Sequence, residues 1–274
     1  MTEKMTRPLL LVGCGKMGSA MLSGWLDSGI AAAGVIVVEP MGAPAEFAGI
    51  AGVTVVASTD ELAADLSPEV VVFAVKPQQM DSVAPAYKRF AGGGTAFLSI
   101  AAGKNIAYFT EQLGTGAAIV RAMPNTPAAI GQGITVCCSN DAASAAQREL
   151  CRALLSATGE AVVVEVENLF DAVTAVSGGG PAYVFLLIEC LAAAGVAAGL
   201  PQDLSDRLAL VTVAGSGQLA LASDEPPATL RENVTSPGGT TLEALKILMA
   251  DDGLQPLMTR AIAAATERSR ELAG

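Results

Sequence analysis

The sequence contains no histidine, and its five cysteines include no Cys-x-x-Cys pair. Zinc sites are built mainly from these two residue types, so the chain offers no recognisable zinc set, and an odd number of cysteines suggests no disulfide framework. No run of lysines and arginines occurs, and the net charge is -11 with a pI near 4.5. These absences argue against a metal centre, nucleic acid and anionic membranes, and leave small molecules and copies of the chain as the expected partners.

A secretion signal is also missing from the sequence pattern. The apolar run in "MTEKMTRPLLLVGCG" is too short and leads directly into a glycine motif, so we expect a cytoplasmic protein. The segment "PAYVFLLIECLAAAGVAAGL" (181–200) has nearly the length of a membrane span. Glu189 lies in its middle, where a charge costs roughly 2–3 kcal/mol in a bilayer. We therefore expect a helix buried between other helices.

The 274 residues are 51% hydrophobic, which supports a substantial core. Over the first 165 residues, short β-branched runs alternate with helical stretches, and this predicts an α/β fold with a mostly parallel sheet covered on both faces. The first helix is predicted from Met17 to Ser28, with a stop at Gly29. The predicted strands are 9–12, 35–39, 53–57, 70–75, 95–100, 118–123, 134–138 and 160–166.

From about residue 166 the pattern changes to helices only, which places a domain boundary near 165. The two domains would be 1–165 and an all-helical C-terminal domain, 166–274. Two long central helices have little polar face, so we expect them to pack against another subunit in a dimer or higher homo-oligomer; a tightly folded monomer is the alternative. The predicted helices are about 167–177, 181–199, 203–222, 240–250 and 253–272.

Three glycines follow the first predicted strand. "LLLVGCGKMGSAM" places Gly13, Gly15 and Gly18 in G-x-G-x-x-G spacing at the opening of a helix. Such a turn brings the backbone close to a dinucleotide pyrophosphate at a helix N-terminus. It predicts a Rossmann-type, doubly wound sheet that binds a nicotinamide cofactor, with a purely structural turn as the alternative. Glu39 ends the second strand, where a carboxylate can bind the ribose hydroxyls of NAD and repel an NADP 2′-phosphate; a solvated strand end is the alternative.

Other strand ends carry further candidates. "AVKPQQ" (74–79) presents Lys76 to phosphate, to nicotinamide or simply to solvent. "RAMPNTPAAIGQG" (121–133) presents Asn125 from a stiff turn that suits a nicotinamide pocket, although prolines also end strands for structural reasons. "AVSGGGPAYVF" (175–185) is a glycine loop that passes close either to substrate or to another helix.

The late stretch "NVTSPGGTTLEALKILMADDG" (233–253) interrupts the C-terminal helices. Gly238 and Gly239 let a backbone approach closely, and the free N–H groups at the following helix start suit a small anion such as a carboxylate. The alternative is an ordinary capped helix start. The chain has no histidine, which excludes the commonest general acid from any reaction at such a site.

Taken over nearly its full length, the chain resembles pyrroline-5-carboxylate reductase, which reduces a cyclic imine to proline with NAD(P)H. The blocks that carry the resemblance are "GCGKMG", "AVKP", "IAAG", "RAMPNTP", "DAVTAVSGGGPAY" and, most specifically, "LRENVTSPGGTTLEAL". In that family the C-terminal helices of two subunits intertwine, so the resemblance implies a C-terminal dimerisation domain in which one chain completes its partner's site.

The resemblance also implies site residues. The expected cofactor-binding residues, with Glu39 and Asn125 added from the strand ends, are Val12, Gly13, Cys14, Gly15, Lys16, Met17, Gly18, Glu39, Ala74, Val75, Lys76, Pro77, Ile100, Ala101, Ala102 and Asn125. The expected substrate-binding residues are Glu167, Ser177, Gly178, Asn233, Ser236, Gly238, Gly239, Thr240 and Thr241, with Thr241 as the catalytic candidate and no metal ligand.

Two departures from the family pattern matter. Gly179 stands where many members have a serine, and Glu39 stands where several members have small or basic residues, so the family does not fix the cofactor preference. A β-hydroxyacid dehydrogenase is a rival, but that class uses a lysine on the first helix after the domain boundary, and 170–199 contains none. A dinucleotide-binding sensor without enzymatic activity is a second rival, which would not need the Pro-Gly-Gly-Thr-Thr loop.

Overall fold

The computed structural model describes residues 5–42 and 44–273, and these form two compact units. The first unit runs as far as Gly178 and also contains the residues from Thr266 onward, and the second is Gly179–Ala265. The predicted boundary near 165 precedes this division and stays a prediction. The last helix therefore begins in the second unit and ends in the first.

The first unit is built on an eight-stranded sheet with the order β3-β2-β1-β4-β5-β6-β7-β8. Each pair is parallel except β6 and β7, which are antiparallel. The Rossmann-type, mostly parallel sheet predicted from the sequence is confirmed. The strands are β1 (Leu9–Val12), β2 (Val35–Val38), β3 (Val53–Val56), β4 (Val70–Phe73), β5 (Ala96–Ser99), β6 (Ala118–Met123), β7 (Gly133–Ser139) and β8 (Gly159–Val163).

Both faces of the central strands are buried, as continuous apolar runs require. Alternate residues of β1 point to opposite faces, so Leu9 and Leu11 belong to one apolar cluster, and Leu10 and Val12 to the other. Trp25 belongs to the first cluster, and its indole N–H donates to the Leu154 carbonyl at 2.9 Å. The sheet is therefore held between two cores, which fixes the positions of its strand ends.

The helices follow the predicted pattern with two differences. They are α1 (Lys16–Ser28), α2 (Met80–Val83), α3 (Ile106–Leu113), α4 (Ala145–Ser156), α5 (Phe170–Val173), α6 (Gly180–Ala197), α7 (Gln202–Ala222), α8 (Pro227–Asn233), α9 (Thr240–Leu248) and α10 (Leu254–Ala273). The predicted single helix at 167–177 is wrong in form. It consists of a 3-10 turn, the short α5 and a π turn over Thr174–Gly178. Helix α8 was not predicted.

The second unit contains α6 and α7, which pack against each other. Much of their apolar surface is nevertheless exposed, including Phe185 at 58% and Leu210 at 48%. Within the part of the chain that the structure describes, the helical stretch Glu167–Ala197 is long and apolar enough to cross a membrane by length and composition, with only 6% of its most apolar window buried. The second unit alone does not bury this surface, so the expected burial of this helix between other helices is not complete within one chain.

Candidate active site

The site lies where the sheet reverses its strand order. Strands β2 and β4 flank β1, and the loops that leave their carboxyl ends diverge to opposite sides. In open parallel sheets, ligands bind in the crevice at this switch point. The glycine turn follows β1, Glu39 follows β2 and the Lys76 turn follows β4, so three of the predicted segments meet at this edge.

The three glycines of the turn have different surroundings. Gly13 has a φ of +89°, and a Cβ there would lie 3.0 Å from the Ala74 carbonyl carbon. A Cβ on Gly18 would lie 2.5 Å from the Gly13 carbonyl oxygen, so this glycine lets α1 pack on the turn. A Cβ on Gly15 would meet no atom within 4 Å. Gly15 therefore faces open space, the position from which a backbone can approach a pyrophosphate.

A cleft of about 520 Å³ opens beside Gly15. The glycine turn forms one wall, the β4–Lys76 turn a second, and the segment after β5 a third. Only Met123 and Pro124 were not included in the sequence prediction of cofactor-binding residues; both sit at the end of β6 in the quoted "RAMPNTP" block. The lining residues are Gly15, Lys16, Met17, Ala74, Val75, Lys76, Pro77, Ile100, Ala101, Ala102, Met123 and Pro124.

Glu39 points back onto the glycine turn. Its Oε2 accepts the Cys14 backbone N–H at 2.8 Å, and its Oε1 accepts the Met41 N–H at 3.3 Å. The Cys14 side chain is buried, and burial raises the pKa of its thiol, so this cysteine contributes backbone rather than a thiolate to the turn. A second cleft of about 490 Å³ runs along the other side of the turn, lined in part by Ser19, Ser23 and Glu46.

Asn125 connects three parts of the first unit. Its side-chain carbonyl accepts the Ile134 N–H at 3.0 Å, which closes the short connection from β6 into the antiparallel β7. Its amide group donates to the Ser177 hydroxyl at 3.3 Å. Gly178 then passes so close to the Met123 methyl group that a Cβ would overlap it. The loop containing Ser177 and Gly178 thus lies behind the Met123 wall of the cleft.

Glu167 is engaged by the protein itself. Its Oε1 accepts both the Arg121 guanidinium and the Ile106 backbone N–H, each at 2.8 Å. Arg121 is buried, and its guanidinium carbon lies 4.5 Å from the centroid of the Phe170 ring. The predicted role of Glu167 in substrate binding stays a prediction, whereas its structural role was missed, because sequence spacing gave no sign that Arg121 on β6 would reach it.

In the second unit, the Pro-Gly-Gly loop precedes α9 without a capping side chain. Gly239 occupies the N-cap position, and Gly238 has a φ of +71°. Among the described residues, the backbone N–H groups of Thr240, Thr241 and Leu242 have no acceptor. The Ser236 carbonyl accepts the Gly239 N–H at 3.0 Å and tightens the loop. Both threonines are exposed. Because the N-cap residue is a glycine and no side chain caps these N–H groups, this is not an ordinary side-chain-capped helix start.

Asn233, also predicted to bind substrate, is the last residue of α8. Its amide donates to a Glu225 carboxylate oxygen at 2.9 Å, which joins the C-terminus of α8 to the segment that precedes this helix. No group of three or more cysteine and acidic side chains that could hold a metal ion occurs within 5–42 and 44–273. The polar groups described at the cleft and at the α9 start include backbone N–H groups, hydroxyls, the Asn125 amide, the Glu39 carboxylate and the two lysines Lys16 and Lys76.

Two models of known protein families match separate parts of the chain. The model of the family described as pyrroline-5-carboxylate reductase dimerisation matches residues 167–272. The model of the family described as NADP oxidoreductase, coenzyme F420-dependent, matches residues 9–103. The second match covers the glycine turn, the Lys76 turn and the segment after β5, which form three of the walls of the cleft.

Curated relatives match over the whole length. A pyrroline-5-carboxylate reductase of Pseudomonas aeruginosa is 42% identical, covering 98% of this chain and 97% of that protein. One of Synechocystis is 40% identical, with coverages of 98% and 99%. The solved structure of a pyrroline-5-carboxylate reductase from Coxiella burnetii superposes with a TM-score of 0.89 at 31% identity, covering 98% of this chain and 100% of that one.

A second solved structure has a nicotinamide cofactor bound. It is the pyrroline carboxylate reductase of Plasmodium falciparum with NADP, at a TM-score of 0.82 and 31% identity, covering 99% of this chain and 100% of that chain. The fold around the cleft is therefore shared with an enzyme that holds NADP.

Proposed function

Because the chain belongs to the pyrroline-5-carboxylate reductase family, it is an NAD(P)H-dependent oxidoreductase that reduces 1-pyrroline-5-carboxylate to L-proline, and we propose how its own residues do so. The observation that supports the proposal best is the open space at Gly15 beside a cleft whose walls are the expected cofactor segments. The cofactor supplies the hydride. The protein binds the cofactor and the substrate, orients them and excludes water.

In this proposal the pyrophosphate lies on the α1 N-terminus at Gly15 and Lys16. Free N–H groups and the helix dipole favour negative charge there, and the Lys16 ammonium adds to it. The walls formed by Ala74–Pro77, Ile100–Ala102 and Met123 hold the nicotinamide. Asn125 has one amide hydrogen beyond the one it gives Ser177, so it can also donate to the nicotinamide half.

The second unit supplies the anion site for the substrate carboxylate. Three adjacent N–H groups at Thr240, Thr241 and Leu242 are free to donate, and Gly238 and Gly239 leave the backbone accessible. No arginine is needed, since a helix start binds an anion with neutral groups. Thr241 carries a hydroxyl at this helix start, and we assign it the hydrogen bond to the ring nitrogen. An imine protonated in solution needs no strong acid from the protein.

NADH is the cofactor that Glu39 favours. The Glu39 carboxylate accepts a hydrogen bond from the Cys14 N–H, so it lies at the turn where the adenosine ribose is expected. A carboxylate can accept hydrogen bonds from both ribose hydroxyls of NADH, whereas the 2′-phosphate of NADPH brings a second negative charge to the same place. We therefore propose that this chain uses NADH at least as well as NADPH, unlike a family member with a neutral or basic residue at this position.

Self-association follows from the dimerisation domain. We propose that a second copy covers the apolar faces of α6 and α7, since Glu189 lies within α6 and opposes membrane insertion. We also propose a cytoplasmic location, because the cysteines among the described residues are unpaired thiols, as a reducing compartment keeps them.

The proposal is tested by following NADH and NADPH absorbance with a panel of cyclic imine carboxylates of different ring size and with a 2-keto acid as control. The five-membered imine is expected to give the highest kcat/KM, and the keto acid none. Preference for the keto acid would instead support a hydroxyacid reductase.

A further inference from the structure

Two walls of the cofactor cleft are joined by an ion pair outside it. The Lys104 ammonium donates to an Asp81 carboxylate oxygen at 2.7 Å. Asp81 belongs to α2, which directly follows the Lys76–Pro77 wall, and Lys104 lies just after the Ile100–Ala102 wall. The bond is thus a direct polar link between two segments that approach the cleft from neighbouring strands, β4 and β5.

An aromatic ring holds the lysine in this position. The Lys104 ammonium lies 4.1 Å from the centroid of the Tyr108 ring, a cation–π distance, while its side chain is only 22% exposed. The hydrogen bond from Lys104, and after it the Tyr108 hydroxyl, lower the pKa of the Asp81 carboxyl. Among the described residues this buried hydroxyl has no partner in full hydrogen-bond geometry, so the ring makes the main contact of Tyr108 with Lys104.

The far side of the same loop is also supported. Gly103 has a φ of +73°, and a Cβ there would lie 3.2 Å from the Leu272 carbonyl oxygen of α10. The loop from Ile100 to Lys104 is therefore fixed between α10 on one side and Asp81 on the other.

We propose that Asp81, Lys104 and Tyr108 form a clamp that sets the separation of the Lys76 and Ala102 walls, and that these three are positioning residues for cofactor binding. The inference rests on the proposed placement of the cofactor in this cleft. Asp81 is 71% exposed, and an exposed pair adds little to folding stability. The clamp therefore acts on cofactor affinity more than on the stability of the protein.

The direction in which Asp81→Ala changes the NADH Kd distinguishes the clamp from a purely electrostatic effect. Asp81→Ala removes a negative charge near the site of an anionic cofactor, so electrostatics alone predicts tighter binding of NADH. The clamp predicts the opposite, an increase in the NADH Kd of about two- to fivefold, the range expected for an exposed ion pair. Lys104→Met should give a similar increase, and the double variant no more than either single one, because both break the same link.

The measurement is a fluorescence titration of NADH, with thermal denaturation of each variant without cofactor. The expected melting temperatures stay close to wild type, and saturating NADH restores kcat. Raising the salt to 1 M should weaken NADH binding in both proteins, and more in the wild type, so the ratio of the Asp81→Ala Kd to the wild-type Kd should fall toward one. The matched control is Arg152→Met, which breaks the exposed Glu149 pair on α4 and should leave the Kd unchanged.

Tyr108 provides a conservative rescue. Tyr108→Phe keeps the ring beside the Lys104 ammonium, so the Kd should stay close to the wild-type value, whereas Tyr108→Leu should raise it as Lys104→Met does. Unchanged or tighter NADH binding by Asp81→Ala would overturn the clamp. Failure of the cofactor placement is distinguishable, because then Gly15→Val would bind NADH as the wild type does.

Discussion

At the scale of single residues, the first prediction concerns Glu39 and the proposed preference for NADH. Replacing it by serine removes the charge that faces the expected ribose and leaves a small hydroxyl. The ratio of kcat/KM for NADPH to that for NADH should rise by on the order of tenfold or more, since one tenfold step corresponds to about 1.4 kcal/mol and two charges a few ångströms apart exceed that at a protein surface. Steady-state kinetics with both cofactors measure it.

Glu69→Gln is the matched control for this change. Its carboxylate also accepts backbone N–H groups, those of Thr6 and Arg7, but it does so just before β4, at the opposite edge of the parallel sheet. The cofactor ratio should stay as in the wild type. A strong preference for NADPH in the wild-type protein would contradict the role given to Glu39.

Thr241 carries the prediction for the substrate. Thr241→Ala removes a hydrogen bond to a polar substrate group, which should lower kcat/KM for the imine by about ten- to hundredfold, or about 1–3 kcal/mol, with NADH affinity unchanged. Thr240→Ala, one position earlier on the same exposed helix start, is the control and should lose far less. Equal losses in the two variants would show that the threonine hydroxyl has no specific role.

At the scale of elements, the glycine turn separates a binding role from a packing role. Gly15→Val has room in the folded protein, so its melting temperature should match wild type while NADH binding is lost. Gly18→Ala places a Cβ 2.5 Å from the Gly13 carbonyl, so it should destabilise the protein by about 1–3 kcal/mol although alanine favours helices. Thermal denaturation and NADH titration of both variants check this. The opposite pattern would mean that Gly15 has only a structural function.

The central strands could be predicted because their apolar runs are buried on both faces, and the predicted strand ends erred by at most three residues. The form of the stretch after residue 166 could not be predicted, because its helical periodicity does not distinguish an α-helix from the π turn at Thr174–Gly178. Helix α8 is seven residues long and begins with Pro227, a favourable first residue that the sequence reading overlooked.

All but two of the residues that line the cleft were expected from the sequence, because the walls follow the strand ends of a regular sheet; their role in binding the cofactor stays a prediction. Glu167 shows the limit: the substrate contact that the resemblance implies stays a prediction, whereas the hydrogen bonds that it accepts from Arg121 and Ile106 could not be predicted, because these residues are far away in sequence. The Asp81–Lys104 link escaped notice for the same reason, since no local spacing relates the two.

At the scale of the whole molecule, the apolar faces of α6 and α7 require a partner. Phe185→Glu puts a charge into the face that a second copy is expected to cover, so it should dissociate the assembly and abolish activity at micromolar concentration. Light scattering coupled to gel filtration gives the mass. Ile130→Glu, at an apolar side chain of the first unit that is 76% exposed, should change neither. A stable and active wild-type monomer would contradict the assignment.

The most direct test of the account is stoichiometric. Purified protein is mixed with 1-pyrroline-5-carboxylate and NADH, and cofactor oxidation is followed at the same time as proline formation. The account predicts one L-proline for each NADH oxidised, with both rates lost in Gly15→Val and strongly reduced in Thr241→Ala. Absence of proline with either NADH or NADPH, from protein that is folded and assembled, would contradict it.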